Sequence, residues 1–599
     1  MSKPQQAKQK VAARSYSSPT LVLIAMDWPG GADRPDFLGF AILRAPGFAK
    51  GEKDAWLTNK IGFAPPTKTS QPMPSNMAPF QMFMWWDSTV ADTDRGRTFS
   101  YTITPVCGTG PNDLELQHDA EESIEVAVPD FERDGIWTCF NRAVVSSQAF
   151  SRQFPEPQKD LDAVMAWLAN GLQDAFPAIL MGSRDVTGAI YHLTDAEWVV
   201  PALKSFDGKL AAVYEDQPKD QADLPAIGAL KGPHFNGFPR SKTHIMHDKF
   251  LVDRTGGRVL AGSANFTPEG LTSQANLLHI FNSAELADLY AARAELMQDD
   301  PTIAETAKGA DWSDEIKIGA ARIRVFFSPE PNKQRVSIDT VVDAVKAAKS
   351  SVIFCMFDPT DPALLKALMA TSDRGKLLYG LLNSISDPST AKKPKAERDD
   401  ENRAASGLPP KNPNATTQVR VEVFNRSRKD KRVIAYNYFR PKAAPAGFLP
   451  EFSTVDLSSK STLGQHKASG KRPPPAVHIH HKFIVIDADT EAPTIYSGSA
   501  NLSKNSTNYN DENLLEIKGN PELAQTYFAE FMRLHEHYRA RAIWDMGSTR
   551  RFSRSEATGS RRAFTLKTTR DGWVKQAYKQ GSLDELARVS LAGGQEPAA

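Results

Sequence analysis

Cysteine is scarce in this chain of 599 residues: three in all, Cys107, Cys139 and Cys355, odd in number and widely spaced. That excludes a disulfide framework and leaves buried free thiols in a reducing compartment as the expectation. Net charge is also missing, since 72 Lys and Arg face 71 Asp and Glu for a formal +1. No global field therefore draws the chain to nucleic acid or to an anionic membrane. No stretch approaches the roughly 18 uninterrupted apolar residues of a membrane span. Met1–Ser18 is polar and lacks the apolar run of a secretory signal. A cytoplasmic protein, peripheral to membranes at most, is the expectation. The length leaves room for two or three domains with full cores.

What the chain does contain is a duplication. His247-Asp248-Lys249-Phe250-Leu251-Val252-Asp253 is followed by Gly262-Ser263-Ala264-Asn265. His480-His481-Lys482-Phe483-Ile484-Val485-Ile486-Asp487 is followed by Gly498-Ser499-Ala500-Asn501. Residues two apart on a strand share a face, so His247 projects with Lys249 and His480 with Lys482. The apolar runs behind them read as strands buried on both faces. A Gly-Ser turn beside such a strand offers backbone N–H groups, a hydroxyl and an Asn amide to an anion. The doubled set suits a phosphodiester, whose transition state spreads charge over the equatorial oxygens and needs opposite proton states at its two apical positions. One His attacks phosphorus and the other protonates the leaving oxygen, then deprotonates the incoming water or alcohol. Lys249, Lys482, Ser263, Ser499, Asn265 and Asn501 hold the non-bridging oxygens, so the expectation requires no metal or other cofactor.

These residues resemble the phospholipase D superfamily, whose signature is H-x-K-x4-D followed by G-S-x-N, present twice. The second copy fits through Asp487, whereas only three residues separate Lys249 from Asp253. The resemblance reads that Asp as a turn or salt-bridge residue. It also implies an acidic or amide side chain, downstream of each G-S-x-N, that orients a His. Aligned on Asn276-Leu277-Leu278 and Asn513-Leu514-Leu515, Glu512 corresponds to Ala275, which leaves Gln274 as the nearest first-half candidate. Tyrosyl-DNA phosphodiesterases show a similar asymmetry, an amide with the nucleophilic His and a carboxylate with the acid/base His. On that basis His247 is the expected nucleophile and His480 the general acid/base.

The expected fold is α/β. Two pseudo-symmetric phospholipase D-like halves, 133–305 and 306–548, share one active site and follow a β-rich, sandwich-like domain at 19–132. Residues 1–18 are expected to be a flexible N-terminus. Strand candidates in the β domain are 20–28, 37–44, 81–86, 98–106 and 123–128. Trp28, Trp85 and Trp86 belong there either to a recognition surface or, as aromatics usually do, to the core. In the halves, apolar positions at helical spacing follow Leu161 and Ile338, the latter with Ser337 as N-cap. Strand, helix and Gly-Lys-Leu strand then alternate twice. The second half carries a basic, Pro-rich insertion at about 388–474, read either as a track for phosphate-rich substrate or as a solvated loop. Residues 549–599 form a basic linker and a C-terminal helix, with Trp573 packing that helix onto the second half. His478 and His480 share a strand face but lack further ligands at metal spacing. His244 reads as structural.

The predicted function is a metal-independent phosphodiesterase that hydrolyses a phospholipid headgroup or transfers it to an alcohol. A monomer suffices for the site. A nuclease or nucleic-acid end-processing enzyme is the alternative, and a catalytically inactive phosphate-binding module is the third reading.

Overall fold

The computed structural model describes residues 9–64, 71–143, 150, 153–154, 159–217, 223–331, 334–357, 359–386, 418–435, 479–549 and 565–594. The chain divides into two compact units. One comprises Met1–Asp130, Gln525–Arg533 and Ile543–Ala599, the other Phe131–Ala524 and Leu534–Ala542. No helix among the described residues is long and apolar enough to cross a membrane.

The first unit holds a three-stranded sheet of Ala12–Ser18, Leu21–Asp27 and Met84–Asp87. A second sheet is built on Phe37–Ala45 and Thr98–Cys107, with Glu122–Ala127 at one edge. Val22, Ile24, Phe37, Phe40, Tyr101 and Ile103 pack into one core with the buried Trp28. Trp85, half-buried, packs against that core, and Trp86 stacks on Trp85. Two expectations are corrected here. Residues 12–18 are not a flexible terminus: they pair antiparallel with Leu21–Asp27 from Ala12↔Asp27 to Ser18↔Leu21. The apolar partner strand and the fully buried Tyr16, whose hydroxyl donates to Leu591 O at 2.9 Å, hold a segment too polar to read as a strand alone. Trp573 does not pack onto the second half. Its indole N–H donates to Phe37 O at 3.0 Å and its ring stacks on Phe83, so the aromatic core of this unit captures it.

The second unit contains two eight-stranded mixed sheets. The first runs Glu132–Arg133, Ile136–Phe140, Leu277–Asn282, Arg258–Gly262, Lys249–Asp253, Asp185–Ile190, Lys209–Glu215 and Phe235–Arg240. The second runs Ile316–Ile318, Ala321–Ser328, Glu512–Lys518, Thr494–Gly498, Lys482–Ile486, Ser351–Phe357, Leu377–Ser386 and Gln418–Ala435. The two orders correspond strand for strand, and each H-x-K strand is central and pairs antiparallel with both of its neighbours. They differ at one edge, where Phe235–Arg240 pairs parallel and Gln418–Ala435 antiparallel. Separate apolar clusters fill the sheets, around Leu251, Leu260 and Ile190 in one and Ile484, Phe354 and Tyr496 in the other.

Helix Val336–Lys346 buries Ile338, Val341, Val342 and Val345 at the predicted spacing. Its cap is not Ser337, which lies inside the first turn; Glu330 instead accepts from Val336 N at 2.6 Å and Ser337 N at 3.1 Å. A carboxylate compensates the unpaired N–H groups of a helix start better than a hydroxyl does. Of the insertion, only the strand Gln418–Ala435 is described. The rest, with the arginine cluster at 550–562, lies outside the described residues.

Asp253 closes the turn after its strand: it accepts from Thr255 N and Gly256 N at 3.1 and 2.9 Å and from Arg258 Nε at 2.8 Å. Asp487 accepts instead from the amides of Lys349 and Ser350, in the segment that precedes the neighbouring strand Ser351–Phe357. The shortened first motif therefore keeps a turn-closing carboxylate. Replacing Asp253 with Ala orphans these donors and is expected to lower stability by about 1–3 kcal/mol. Urea denaturation with circular dichroism checks it, and an unchanged midpoint contradicts the assignment.

Candidate active site

Each H-x-K strand begins at its lysine, and the histidine stands just before it, where pairing passes to the other half. Met246 bridges Asp511, and His247 N donates to Asp511 O at 2.8 Å. Reciprocally, Ile479 bridges Ala275, and His480 N donates to Ala275 O at 3.1 Å. Each histidine is thus delivered to the segment that follows the opposite half's G-S-A-N.

That exchange decides the orienting partners and corrects the sequence expectation. Glu512, expected beside His480, lies with Oε1 at 3.2 Å from His247 Nδ1. The contact is close but off the line of a hydrogen bond, so His247 Nδ1 has no aligned partner; catalytic contacts commonly tighten only when substrate binds. The amide side chain is Asn276, not Gln274, and it serves His480: Asn276 Oδ1 lies 2.9 Å from His480 Nδ1. Asn276 Nδ2 donates to Gly270 O at 2.8 Å, which fixes the carboxamide so that its oxygen faces the ring. His480 therefore carries its proton on Nδ1 when neutral and leaves Nε2 as an acceptor, 3.3 Å from Lys482 Nζ. Gln274 touches neither histidine, and its side-chain oxygen is buried without a partner among the described residues.

Glu512 is itself held by Asn510 Nδ2 at 2.8 Å, by Asn501 N at 3.1 Å and by the Ser506 hydroxyl. Burial pushes its carboxyl up, but His247 and these donors outweigh burial and hold it below the usual range, as the anion. Burial, aided by the Lys249 ammonium, pushes His247 down to about 3 against the opposing pull of Glu512. His480 is driven well below its ordinary value by burial, then by Lys482, Lys249 and His247. The five groups thus feel one another's charge across the halves, and both imidazoles are neutral near pH 7.

Both lysines are buried. Lys249 Nζ donates to His247 O at 2.6 Å and sits 4.8 Å from the Tyr191 ring centre. Lys482 Nζ donates to His480 O at 2.8 Å and sits 5.4 Å from the Phe357 centre. Tyr191 and Phe357 also flank the two imidazoles, at 4.8 and 5.3 Å. Sequence reasoning missed both, although they occupy corresponding places at the ends of the matched strands before each helix. Burial lowers Lys249 to about 7.

The serines do not face substrate as expected. Ser263 and Ser499 are fully buried. Ser263 Oγ donates to Asn276 Oδ1 at 2.9 Å, and Ser499 Oγ accepts from Asn513 N at 3.0 Å and Asn513 Nδ2 at 3.2 Å. Both support the orienting segments. Asn265 and Asn501 are half-buried, each with an unpartnered side-chain oxygen; a carboxamide turned over presents its NH2 to an anion instead. His244 Nδ1 meets Asn510 Oδ1 at 3.1 Å, a structural contact. His481 packs against Phe140 and Phe483, and His478 lies outside the described residues.

Residues 341–535 match the family model described as cardiolipin synthase, PLD-like domain. The matched segment contains the second H-x-K…G-S-x-N copy and is similar to that phospholipase D-like domain. The chain is similar to the crystal structure of phosphatidylserine synthase from Haemophilus influenzae Rd KW20, at 14% identity and TM-score 0.36, covering 62% of this chain and 85% of that one. It is also similar to the phospholipase D family member Nuc from Salmonella typhimurium, at 19% identity and TM-score 0.19, covering 20% of this chain and 84% of that one. NucT from Helicobacter pylori gives 17% identity and TM-score 0.20, covering 22% and 90%. At these scores the likenesses carry no inference about activity. No curated protein matches the chain.

A lysine whose value falls from 10.5 to about 7 on folding costs stability that is fully present below pH 7 and disappears above pH 10.5. Lys249→Met is therefore expected to raise stability at pH 7 by about 1–4 kcal/mol. The gain shrinks as pH rises from 7 to 10.5. Urea titrations at pH 7 and pH 10 check this, and an equal or growing gain contradicts it.

Proposed function

We propose that the chain is a phosphodiesterase of phospholipase D type, with two pseudo-symmetric halves building one active centre and His247 as its nucleophile. The reciprocal delivery of Glu512 to His247 and of Asn276 to His480 carries this reading. His247 Nε2 attacks phosphorus while the bond to the leaving oxygen breaks, and His480 Nε2–H gives that oxygen its proton. His480 then takes a proton from water, the water oxygen bonds to phosphorus, and the bond to His247 breaks. A primary alcohol in place of water gives transfer.

His247 is the nucleophile because a carboxylate, Glu512, and not an amide faces its ring. An imidazole that bonds phosphorus through Nε2 while protonated on Nδ1 carries positive charge, and Glu512 stabilises that charge. His480 is neutral in the free enzyme, and an anionic phosphate in the pocket raises it toward the protonated state that a general acid needs. Lys249 and Lys482 bind the non-bridging oxygens, and Asn265 and Asn501 turn their amides to them. The residues themselves supply nucleophile, acid, base and cationic clamp.

Phospholipid is the favoured substrate. The near-zero net charge supports it.

Wild-type and His247→Ala proteins, in excess chelator, are incubated with phosphatidylcholine vesicles and separately with single- and double-stranded DNA. Lipid cleavage is expected from wild type and a loss of at least about 10³-fold from the variant. Its rate falls as pH rises through about 7, where Lys249 loses its proton. Retained activity in His247→Ala overturns the assignment. Cleavage of DNA alone, weakening steeply with salt, replaces lipid with nucleic acid.

A further inference from the structure

Beside the catalytic groups lies a buried ionic cluster whose members touch no reacting atom. Asp511 is fully buried, and its carboxylate accepts from Arg240 Nε at 2.9 Å and Arg293 Nη2 at 3.1 Å. Both arginines come from the first half and Asp511 from the second. Arg240, itself fully buried, also donates to Asp300 Oδ1 at 2.9 Å and Thr306 Oγ1 at 3.0 Å. Arg293 also donates to Ser328 O and lies 3.9 Å from Asp248, whose other oxygen accepts from Asn513 Nδ2 at 2.6 Å. Two guanidinium groups and three carboxylates thus close an ionic cluster across the boundary between halves.

Buried ion pairs return little net stability, because desolvation cancels most of their attraction; what they do is fix geometry. Asp511 is where fixed geometry meets the chemistry. Its carbonyl accepts from His247 N at 2.8 Å, its own N–H donates to Ile245 O at 3.0 Å, and the next residue is Glu512. Asp511 thus ties the backbone of His247 and adjoins in the chain the carboxylate that faces its ring. The corresponding place in the first half is Gln274, a neutral side chain whose oxygen has no partner among the described residues. On the His480 side the orienting group is the neutral Asn276 carboxamide.

We propose that Asp511, gripped by Arg240 and Arg293, is the positioning residue for His247, so that formation of the phosphohistidine depends on it and its breakdown does not. This rests on the phosphodiesterase reading above. In the first step Nε2 must approach phosphorus in line, and a shift of about 1 Å in a reacting group costs on the order of 10²-fold. In the second step the phosphorus is already bonded to His247, and the incoming water is activated by His480, which Asn276 holds independently.

Stopped-flow cleavage of bis(4-nitrophenyl) phosphate separates the steps. The 4-nitrophenolate burst reports formation of the phosphoenzyme, the steady phase its breakdown, and the burst amplitude the active fraction. Asp511→Asn is expected to slow the burst about 100-fold and breakdown less than about threefold. Arg293→Lys, which keeps the charge but loses the fork, slows the burst about tenfold. Asp300→Asn, on the far side of Arg240, leaves both rates within about twofold. Lower amplitude with unchanged rates, in Asp511→Asn or in Arg293→Lys, means a merely structural role and overturns the inference. Equal slowing of both steps overturns it as well. A wild type that releases no 4-nitrophenolate defeats the phosphodiesterase reading instead.

Discussion

Two imidazoles and two ammonium groups are buried together around a single carboxylate, and the rest of the second unit is organised to make that arrangement tenable. Like charges in a dry pocket repel strongly, so the site survives by leaving both histidines neutral, depressing Lys249 and keeping Glu512 ionised. A pocket in this state is short of negative charge. On the proposed function, an anionic phosphodiester supplies what is missing and restores the protons that the chemistry needs.

Central strands carry the lysines because those strands are packed on both faces and cannot shift. The histidines sit one step beyond the regular pairing, where each half borrows backbone from the other. Neither half is complete alone: the first lacks the carboxylate that faces its own His247, and the second lacks the amide that faces its own His480. The buried serines, expected on substrate, hold the exchanged segments in place. The two similar histidines differ in what faces them, a carboxylate at His247 and an amide at His480.

Much of this was legible in the sequence. The repeated H-x-K and G-S-A-N, the burial of the strands and the matched helices all follow from local periodicity and spacing. The orienting pairs did not, since spacing within one half reveals nothing about a segment that crosses to the other. Gln274 was the nearest polar neighbour by count. Asn276 stood unnoticed inside the triplet used to align the repeats, where its twin Asn513 binds Asp248 rather than a histidine. Tyr191 and Phe357 looked like strand ends, and only the fold sets them under the lysines. Residues 12–18 and Trp573 were misjudged for a related reason, their partners being distant in sequence or supplied by an apolar neighbour.

The central claim is that His247 and His480 flank a single phosphorus. A crystal structure of the protein with vanadate tests it most directly. The account predicts one trigonal-bipyramidal vanadate, bonded to His247 Nε2, with its opposite apical oxygen hydrogen-bonded to His480 Nε2 and its equatorial oxygens on Lys249 and Lys482. Vanadate bound at each histidine separately, or bonded to His480 with His247 unengaged, would contradict it.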